Sequence, residues 1–221
     1  MKVIRQLFIG LVLAGSMTSC YDLLTEVPKD FLTPENSYTD RKGFEAALAN
    51  IYLSIRNDFY ANSDQWQNFD LMGVDVDLNN PRTLNDVYTE YFYWNTLNAD
   101  NGIAKKWWQR LYGYIYSCNV IIDRAESSLV KWNTEEEKNA IVGEAKFLRA
   151  FAYRFLGNMW GKAPIVLEET TSPQFNYQSA TQEEIYKQCK EDLLFAVQWM
   201  PEIDNQKGGR ASNVAARHLL S

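Results

Sequence analysis

Apolar side chains recur at intervals of three and four residues in several stretches of the chain, the spacing that places them on one face of an α-helix. The first stretch follows Asp40, a residue type that favours the N-cap position. Its apolar positions are Phe44, Ala47, Leu48, Ile51, Tyr52 and Ile55. Those of the second stretch are Trp107, Leu111, Ile115, Cys118, Ile122, Ala125 and Leu129. Each pattern predicts a helix with one buried face.

The third and fourth helices are predicted to begin with capping boxes, in which Thr is followed three residues later by Glu. Thr134 and Glu137 open the third helix, which is predicted to end at a break formed by Gly157, Gly161 and Pro164. Thr181 and Glu184 open the fourth. The apolar positions of the two are Ile141, Ala145, Leu148, Ala152, Phe155 and Met159, then Ile185, Cys189, Leu193, Ala196 and Met200. A short strand at residues 165–167 and a fifth helix beginning at Ser212 complete the pattern.

The remaining segments are irregular. Residues 20–38 are predicted to form an N-terminal tether, and residues 57–102 combine many Asn and Asp residues with interspersed aromatic ones. Long loops of that composition are usually functional. We predict that residues 39–221 form an all-α, tetratricopeptide-like scaffold of helical pairs with long irregular loops. Because the fifth helix has barely begun at residue 221, we expect this to be the N-terminal part of a longer domain.

Residues 1–19 have the layout of a signal peptide, with a basic start, an apolar run at residues 7–14 and small or polar residues before Cys20. The run is too short to cross a bilayer, which takes about 20 apolar residues. A signal that ends at a cysteine resembles a bacterial lipoprotein signal. We favour lipidation of Cys20, which would supply a membrane anchor, over ordinary secretory cleavage near Ser19.

The charge and the cysteine usage of the chain argue against a nucleic-acid-binding protein and against a metal-binding one. Without the signal peptide, 20 basic and 28 acidic residues remain, a net charge of about −8 that argues against nucleic acid as a partner. Cys118 and Cys189 fall at apolar helix positions and are interpreted as buried free thiols, with a disulfide as the alternative. The sequence has no CxxC motif and no metal-ligand spacing, so neither a metal nor another cofactor is predicted.

The loop between residues 66 and 98 has the side chains that sugar recognition requires. Flat aromatic faces cover the apolar side of a pyranose, and planar polar groups bond its hydroxyls. The candidate ligand-binding residues are Trp66, Tyr93 and Trp94, which supply faces, and Asp75, Asp77, Arg82 and Asn98, which supply donors and acceptors. The alternative is that these aromatic residues only hold the loop in place.

Catalysis is not predicted from the same residues. Asp75 and Asp77 are too close in sequence to form the opposed carboxylate pair of a glycosidase, whose members lie about 5–10 Å apart across the sugar. The segment also lacks the glycine and terminal glutamate of an EF-hand calcium loop. The one histidine, His218, is predicted to occupy a polar position on the last helix.

Four segments resemble a known family. The stretch FLRAFAYRFLGNMWGKAPIV at residues 147–166 resembles the signature of the SusD/RagB family of outer-membrane lipoproteins in Bacteroidetes. Residues 20–52, 107–126 and 208–220 are similar to other conserved segments of that family, in the same order. The resemblance implies a helical glycan-binding protein, lipid-anchored on the cell surface at the outer membrane, that works with a SusC-like TonB-dependent transporter and is not an enzyme.

Two alternatives to oligosaccharide binding stay open. In the first, the protein acts mainly as a structural lid of the transporter, with little affinity of its own. The second, a glycosidase, is disfavoured because the sequence shows no acid/base pair of carboxylates. Within the signature stretch, Arg149 is predicted to form a structural ion pair with Glu144 or with a carboxylate of a neighbouring helix, and Trp108 to lie at a helix interface.

Overall fold

The predicted amphipathic stretches form helices in the computed structural model, which describes residues 37–61, 102–202 and 209–221. The helices are α1 Arg41–Arg56, α2 Gly102–Ala125, α3 Glu135–Trp160, α4 Gln182–Trp199 and α5 Asn213–Leu220. A π-helical turn, Asn57–Ala61, follows α1, and two short strands, β1 Lys162–Pro164 and β2 Ser179–Thr181, lie between α3 and α4. The predicted mostly helical fold class is confirmed.

Local capping explains where several helices begin. The carboxylate of Asp40 accepts the backbone N–H of Gly43 at 3.0 Å, as predicted for α1. At α4, Thr181 and Glu184 form both arms of the predicted capping box. At α3 only one arm forms, because Glu137 accepts a hydrogen bond from the backbone N–H of Asn133 instead of that of Thr134.

The end of the second helix differs from the prediction, whereas the end of the third agrees with it. The second helix ends at Ala125, four residues before Leu129, because Glu126 and Ser127 already form turn hydrogen bonds. Leu129 is 74% exposed, and Val130 takes a buried position instead. The third helix ends at Trp160, within the predicted break at Gly157, Gly161 and Pro164, and its C-cap Gly161 has a φ of 71°, the left-handed conformation that glycine favours at a helix C-terminus.

The helices pack as antiparallel neighbours. The C-terminal half of α2 shares a core cluster with α1 and with the N-terminal half of α3, and the N-terminal half of α2 shares another with the C-terminal half of α3 and with α4. Two glycines bring α3 close to α4: Gly143 lies against Met200 at the end of α4, and Gly157 against Tyr186 at its start. Among the described residues, no helix is both long and apolar enough to cross a membrane.

The connection between α3 and α4, residues 162–181, is called the strap. It begins with β1 and ends with β2, which pair antiparallel with Ala163 opposite Ala180. The predicted strand at residues 165–167 was wrong, since the strand ends at Pro164. Side chains of α2 and α3, rather than another strand, bond the backbone of the segment that follows.

Candidate functional site

The inner side of the strap is fastened by a buried group of polar side chains, called the inner anchor: Asn119, Arg149, Tyr153 and Asp192. Arg149 on α3 makes two hydrogen bonds to Asp192 on α4, with N–O distances of 2.7 and 2.8 Å. Its remaining Nη1 atom donates to the Oδ1 atom of Asn119 at 2.8 Å and to the carbonyl of Leu167 at 3.1 Å. The guanidinium thus joins three helices and the strap.

Asn119 and Tyr153 complete the inner anchor by bonding the strap backbone. The Asn119 amide donates to the carbonyls of Val166 and Glu168. The Tyr153 hydroxyl donates to the Val166 carbonyl at 2.9 Å and accepts the Val166 N–H at 2.6 Å. Burial raises the pKa of Tyr153 to about 12, so the hydroxyl keeps its proton at neutral pH. The backbone of the strap is therefore held in one path over α2 and α3.

Beside this path, α2 and the strap enclose an open groove with a cavity volume of about 290 Å³. One wall is formed by residues of α2: Trp108, Tyr112, Ile115, Tyr116 and Asn119. The other is formed by residues of the strap: Pro164, Val166, Thr170 and Tyr177. The hydroxyl of Tyr112 donates to the carbonyl of Pro164 at 2.7 Å and so ties the two walls together at one end.

The aromatic rings of the groove differ in exposure. Trp108 is partly buried, and its ring centroid lies 5.3 Å from that of Trp160 in an edge-to-face contact, so the predicted interface position is confirmed. Tyr116 is 47% exposed and Tyr177 is 46% exposed. These two rings present accessible faces at opposite walls, whereas Trp108 and Tyr112 form the packed end of the groove.

The polar character of the groove is limited to uncharged groups. Among the described residues that line it there is no Asp, Glu, Lys or Arg. The amide of Asn119 already bonds Arg149 and the strap. Within the part of the chain that the structure describes, the hydroxyls of Tyr116, Thr170 and Tyr177 have no hydrogen-bond partner. The groove can therefore offer aromatic faces and a few hydroxyl groups to a ligand.

A second polar group, called the outer anchor, consists of Tyr52, Glu144 and Arg210. The carboxylate of Glu144 is 2% exposed and accepts hydrogen bonds from the Tyr52 hydroxyl and from two nitrogens of Arg210. The Tyr52 oxygen also accepts the backbone N–H of Ala211 at 3.0 Å. The outer anchor thus fastens the segment before α5 to α1 and α3.

The seven ligand-binding residues predicted from the sequence lie outside the described residues: Trp66, Asp75, Asp77, Arg82, Tyr93, Trp94 and Asn98. Cys20, the predicted lipidation site, lies outside them as well. Cys118 and Cys189 are buried and free, as predicted, and burial raises the pKa of both thiols. Within the described ranges, no group of three His, Cys, Asp or Glu side chains is arranged to hold a metal ion.

The sequence profile of a SusD-like family described as "Starch-binding associating with outer membrane" matches residues 30–221. The chain belongs to this SusD-like family. SusD-like protein P25 of Formosa agariphila is 27% identical over 220 residues, which cover 96% of this chain and 41% of that relative. The chain therefore spans about two-fifths of the length of this curated relative.

Solved structures show the same fold. A SusD superfamily protein from Bacteroides vulgatus is similar with a TM-score of 0.68 at 23% identity, covering 83% of this chain and 39% of that protein. A laminarin-binding SusD-like protein is similar with a TM-score of 0.65, also at 23% identity, covering 83% of this chain and 39% of that protein.

In this SusD-like chain, the signature stretch at residues 147–166 joins α3 to the strap. Of the two partners predicted for Arg149, the carboxylate of a neighbouring helix is the one found, and it belongs to Asp192. Glu144 pairs with Arg210 instead. Arg149, the buried arginine of the signature, therefore holds the strap in place.

The sequence reasoning missed the groove of the SusD-like chain. Its signal is the spacing of Trp108, Tyr112 and Tyr116, which are four residues apart on α2 and lie beside the buried stripe. The aromatic spacing alone predicts only a second apolar stripe. The strap supplies the opposite wall, and its path depends on contacts between residues that are distant in sequence.

Proposed function

We propose that this SusD-like protein is a lipid-anchored, surface-exposed, glycan-binding subunit of the outer membrane that passes an oligosaccharide to a SusC-like TonB-dependent transporter. The observation that carries the proposal is the family match over residues 30–221, whose description combines starch binding with the outer membrane. A similar solved structure is that of a laminarin-binding protein. The protein acts by binding alone and catalyses no reaction.

The proposed ligand contacts include the seven residues predicted in the loop between Trp66 and Asn98. Replacement of Trp94 by Ala in the complete protein should weaken oligosaccharide binding about fivefold to tenfold, because one stacking face is lost. The melting temperature should stay nearly unchanged. Trp107→Ala is the matched control, since Trp107 is 1% exposed and its truncation should lower stability by about 3–5 kcal/mol.

Calorimetric titration and thermal melts on both variants separate a ligand contact from a core residue. A Trp94→Ala protein that binds with full affinity but melts early would mean that Trp94 is structural. If the unaltered protein binds no glycan yet still assembles with the transporter, the structural-lid role is the correct one.

The anchor is tested separately. Cys20→Ala should release the protein from the membrane fraction and abolish labelling by a fatty-acid analogue. The change should be large, because two or more acyl chains hold a protein stably whereas one holds it only marginally. Unchanged fractionation of the Cys20→Ala protein would contradict lipidation at this residue.

A further inference from the structure

The groove between α2 and the strap has two accessible aromatic faces on opposite walls. Tyr116 belongs to α2 and Tyr177 to the strap, and each keeps nearly half of its surface exposed. Large apolar rings in that state retain contact area for a ligand, whereas fully buried rings such as Tyr153 do not. We propose that this groove is a glycan subsite for an uncharged stretch of the sugar chain, with Tyr116 and Tyr177 as its stacking faces.

This inference rests on the proposed function and adds to it a place of binding outside the loop between residues 66 and 98. The two faces fit a pyranose because each side of the ring carries C–H groups that pack on an aromatic face. The hydroxyls of Tyr116, Thr170 and Tyr177 are unpartnered within the described part of the chain, and they fit the hydroxyls at the sugar edge.

The lack of charged side chains among the described residues of the groove affects which sugars can bind there. No acidic or basic side chain is present among the described residues that line it. A carboxylate or sulfate group that entered would lose hydration without gaining a paired charge, which is unfavourable. An uncharged sugar loses less hydration and can regain its hydrogen bonds from the tyrosine and threonine hydroxyls. The uncharged lining therefore favours a neutral glycan over an acidic one.

The size of the groove argues against a larger occupant. Its volume of about 290 Å³ is near the lower end of the range for small-molecule sites, which is about 300–1,000 Å³. A helix is about 10 Å across and needs a longer and wider surface. A short stretch of a sugar chain fits the space, with the rest of the glycan continuing outside.

The groove is formed before the ligand arrives, since the inner anchor fixes the strap. Val166 contributes to the wall while its backbone N–H and carbonyl are both bonded to Tyr153. The carbonyl of Pro164 is likewise bonded to Tyr112. Little conformational freedom of the backbone remains to be lost on binding at this wall, which favours affinity.

The test uses the complete protein and four variants: Tyr116→Ala, Tyr177→Ala, Tyr177→Phe and Phe175→Ala. Phe175 is the matched control, because it lies two residues from Tyr177 on the strap, is 90% exposed and does not line the groove. Binding of malto-oligosaccharides, laminarin oligosaccharides and acidic oligogalacturonates is measured by calorimetric titration, with melting temperatures in parallel.

We expect each Tyr→Ala variant to bind the neutral ligand about threefold to tenfold more weakly, at an unchanged melting temperature. Tyr177→Phe should keep most of the affinity because it keeps the ring, and Phe175→Ala should bind like the unaltered protein. Oligogalacturonates should bind more weakly than the neutral ligands.

Three outcomes would overturn the inference. If both Tyr→Ala variants bind normally while Trp94→Ala does not, the groove is not a subsite and the proposed function stands. If Phe175→Ala loses as much affinity as Tyr177→Ala, the effect belongs to the strap surface in general. Tight binding of acidic ligands that depends on Tyr177 would contradict the neutral-sugar assignment. The proposed function itself fails if the unaltered protein binds none of the glycans.

Discussion

The inner and outer anchors use the same three kinds of side chain to fasten two non-helical segments. In each, an arginine makes two hydrogen bonds to a carboxylate, and a tyrosine hydroxyl accepts a backbone N–H of the fastened segment. They differ in burial and in the origin of the arginine. Arg149 is 3% exposed and belongs to a helix, whereas the side chain of Arg210 is 27% exposed and belongs to the fastened segment itself.

The difference in burial decides what each anchor contributes. In the inner anchor both charges are removed from water, and the Arg149 guanidinium depends on the carboxylate of Asp192, which also pairs with Lys146 at 3.5 Å. In the outer anchor water still reaches Arg210, and only the carboxylate of Glu144 depends on its protein partners. We therefore expect similar changes to be more damaging in the inner anchor.

The largest expected effect is that of Asp192→Ala, which leaves the guanidinium of Arg149 buried without its carboxylate. The free energy of unfolding should fall by about 3–5 kcal/mol, measured by urea denaturation. The double variant Arg149→Met with Asp192→Leu removes both charges, and should recover much of that stability because no unpaired charge remains. A loss below 1 kcal/mol for Asp192→Ala would show that water reaches the inner anchor.

Arg210→Ala should have a smaller effect, about 1.5–3 kcal/mol, the usual contribution of hydrogen bonds to a charged group. Glu144 keeps its hydrogen bond from Tyr52, and water can enter where the arginine was. Arg41→Ala is the control, since Arg41 forms only exposed ion pairs with Glu45 and Glu137 and should change stability little. A loss equal to that of Asp192→Ala would remove the distinction between the anchors.

Replacing the tyrosine of each anchor by Phe gives two matched variants, and both should affect stability less than the loss of Asp192. Tyr153→Phe removes the hydroxyl that accepts the N–H of Val166, and Tyr52→Phe removes the hydroxyl that accepts the N–H of Ala211. Each should lower stability by about 1–3 kcal/mol. Hydrogen exchange should quicken at Val166 in the first variant and at Ala211 in the second. Faster exchange at both amides in either variant would mean that the anchors are coupled.

The smallest effect concerns alkaline pH. Burial raises the pKa of the Cys189 thiol and of the Tyr153 hydroxyl to about 12, from ordinary values of 9.0 and 10.0. Both groups are uncharged when protonated, so the unfolded chain releases their protons first and stability falls as pH rises above about 9. Cys189 alone should account for about 1.4 kcal/mol at pH 10, and Cys189→Ala should reduce the pH dependence of unfolding by about that amount. A stability that rises between pH 9 and 11 would contradict the burial of these groups.

Much of the helical scaffold could be predicted because its signals are local. The spacing of Phe44, Leu48 and Ile51 and the cap at Asp40 lie within a few turns of one another. The strand at residues 165–167 was mispredicted because the contacts that decide its backbone path come from residues distant in sequence. The apolar residues there suit a strand, but the backbone of Val166 is bonded by Tyr153 and Asn119, which are 13 and 47 residues away.

The sequence by itself determined the helices, the caps at Asp40 and Thr181, the buried thiols and the family, because spacing and motif are properties of neighbouring residues. Only the tertiary structure decided which carboxylate pairs with which arginine. Arg149 and Asp192 are 43 residues apart and Arg210 and Glu144 are 66 apart, so their pairing depends on how α3 packs against its neighbours. The groove likewise depends on tertiary structure. Its aromatic residues on α2 can be seen in the sequence, but its second wall exists because the inner anchor and Tyr112 hold the strap beside that helix.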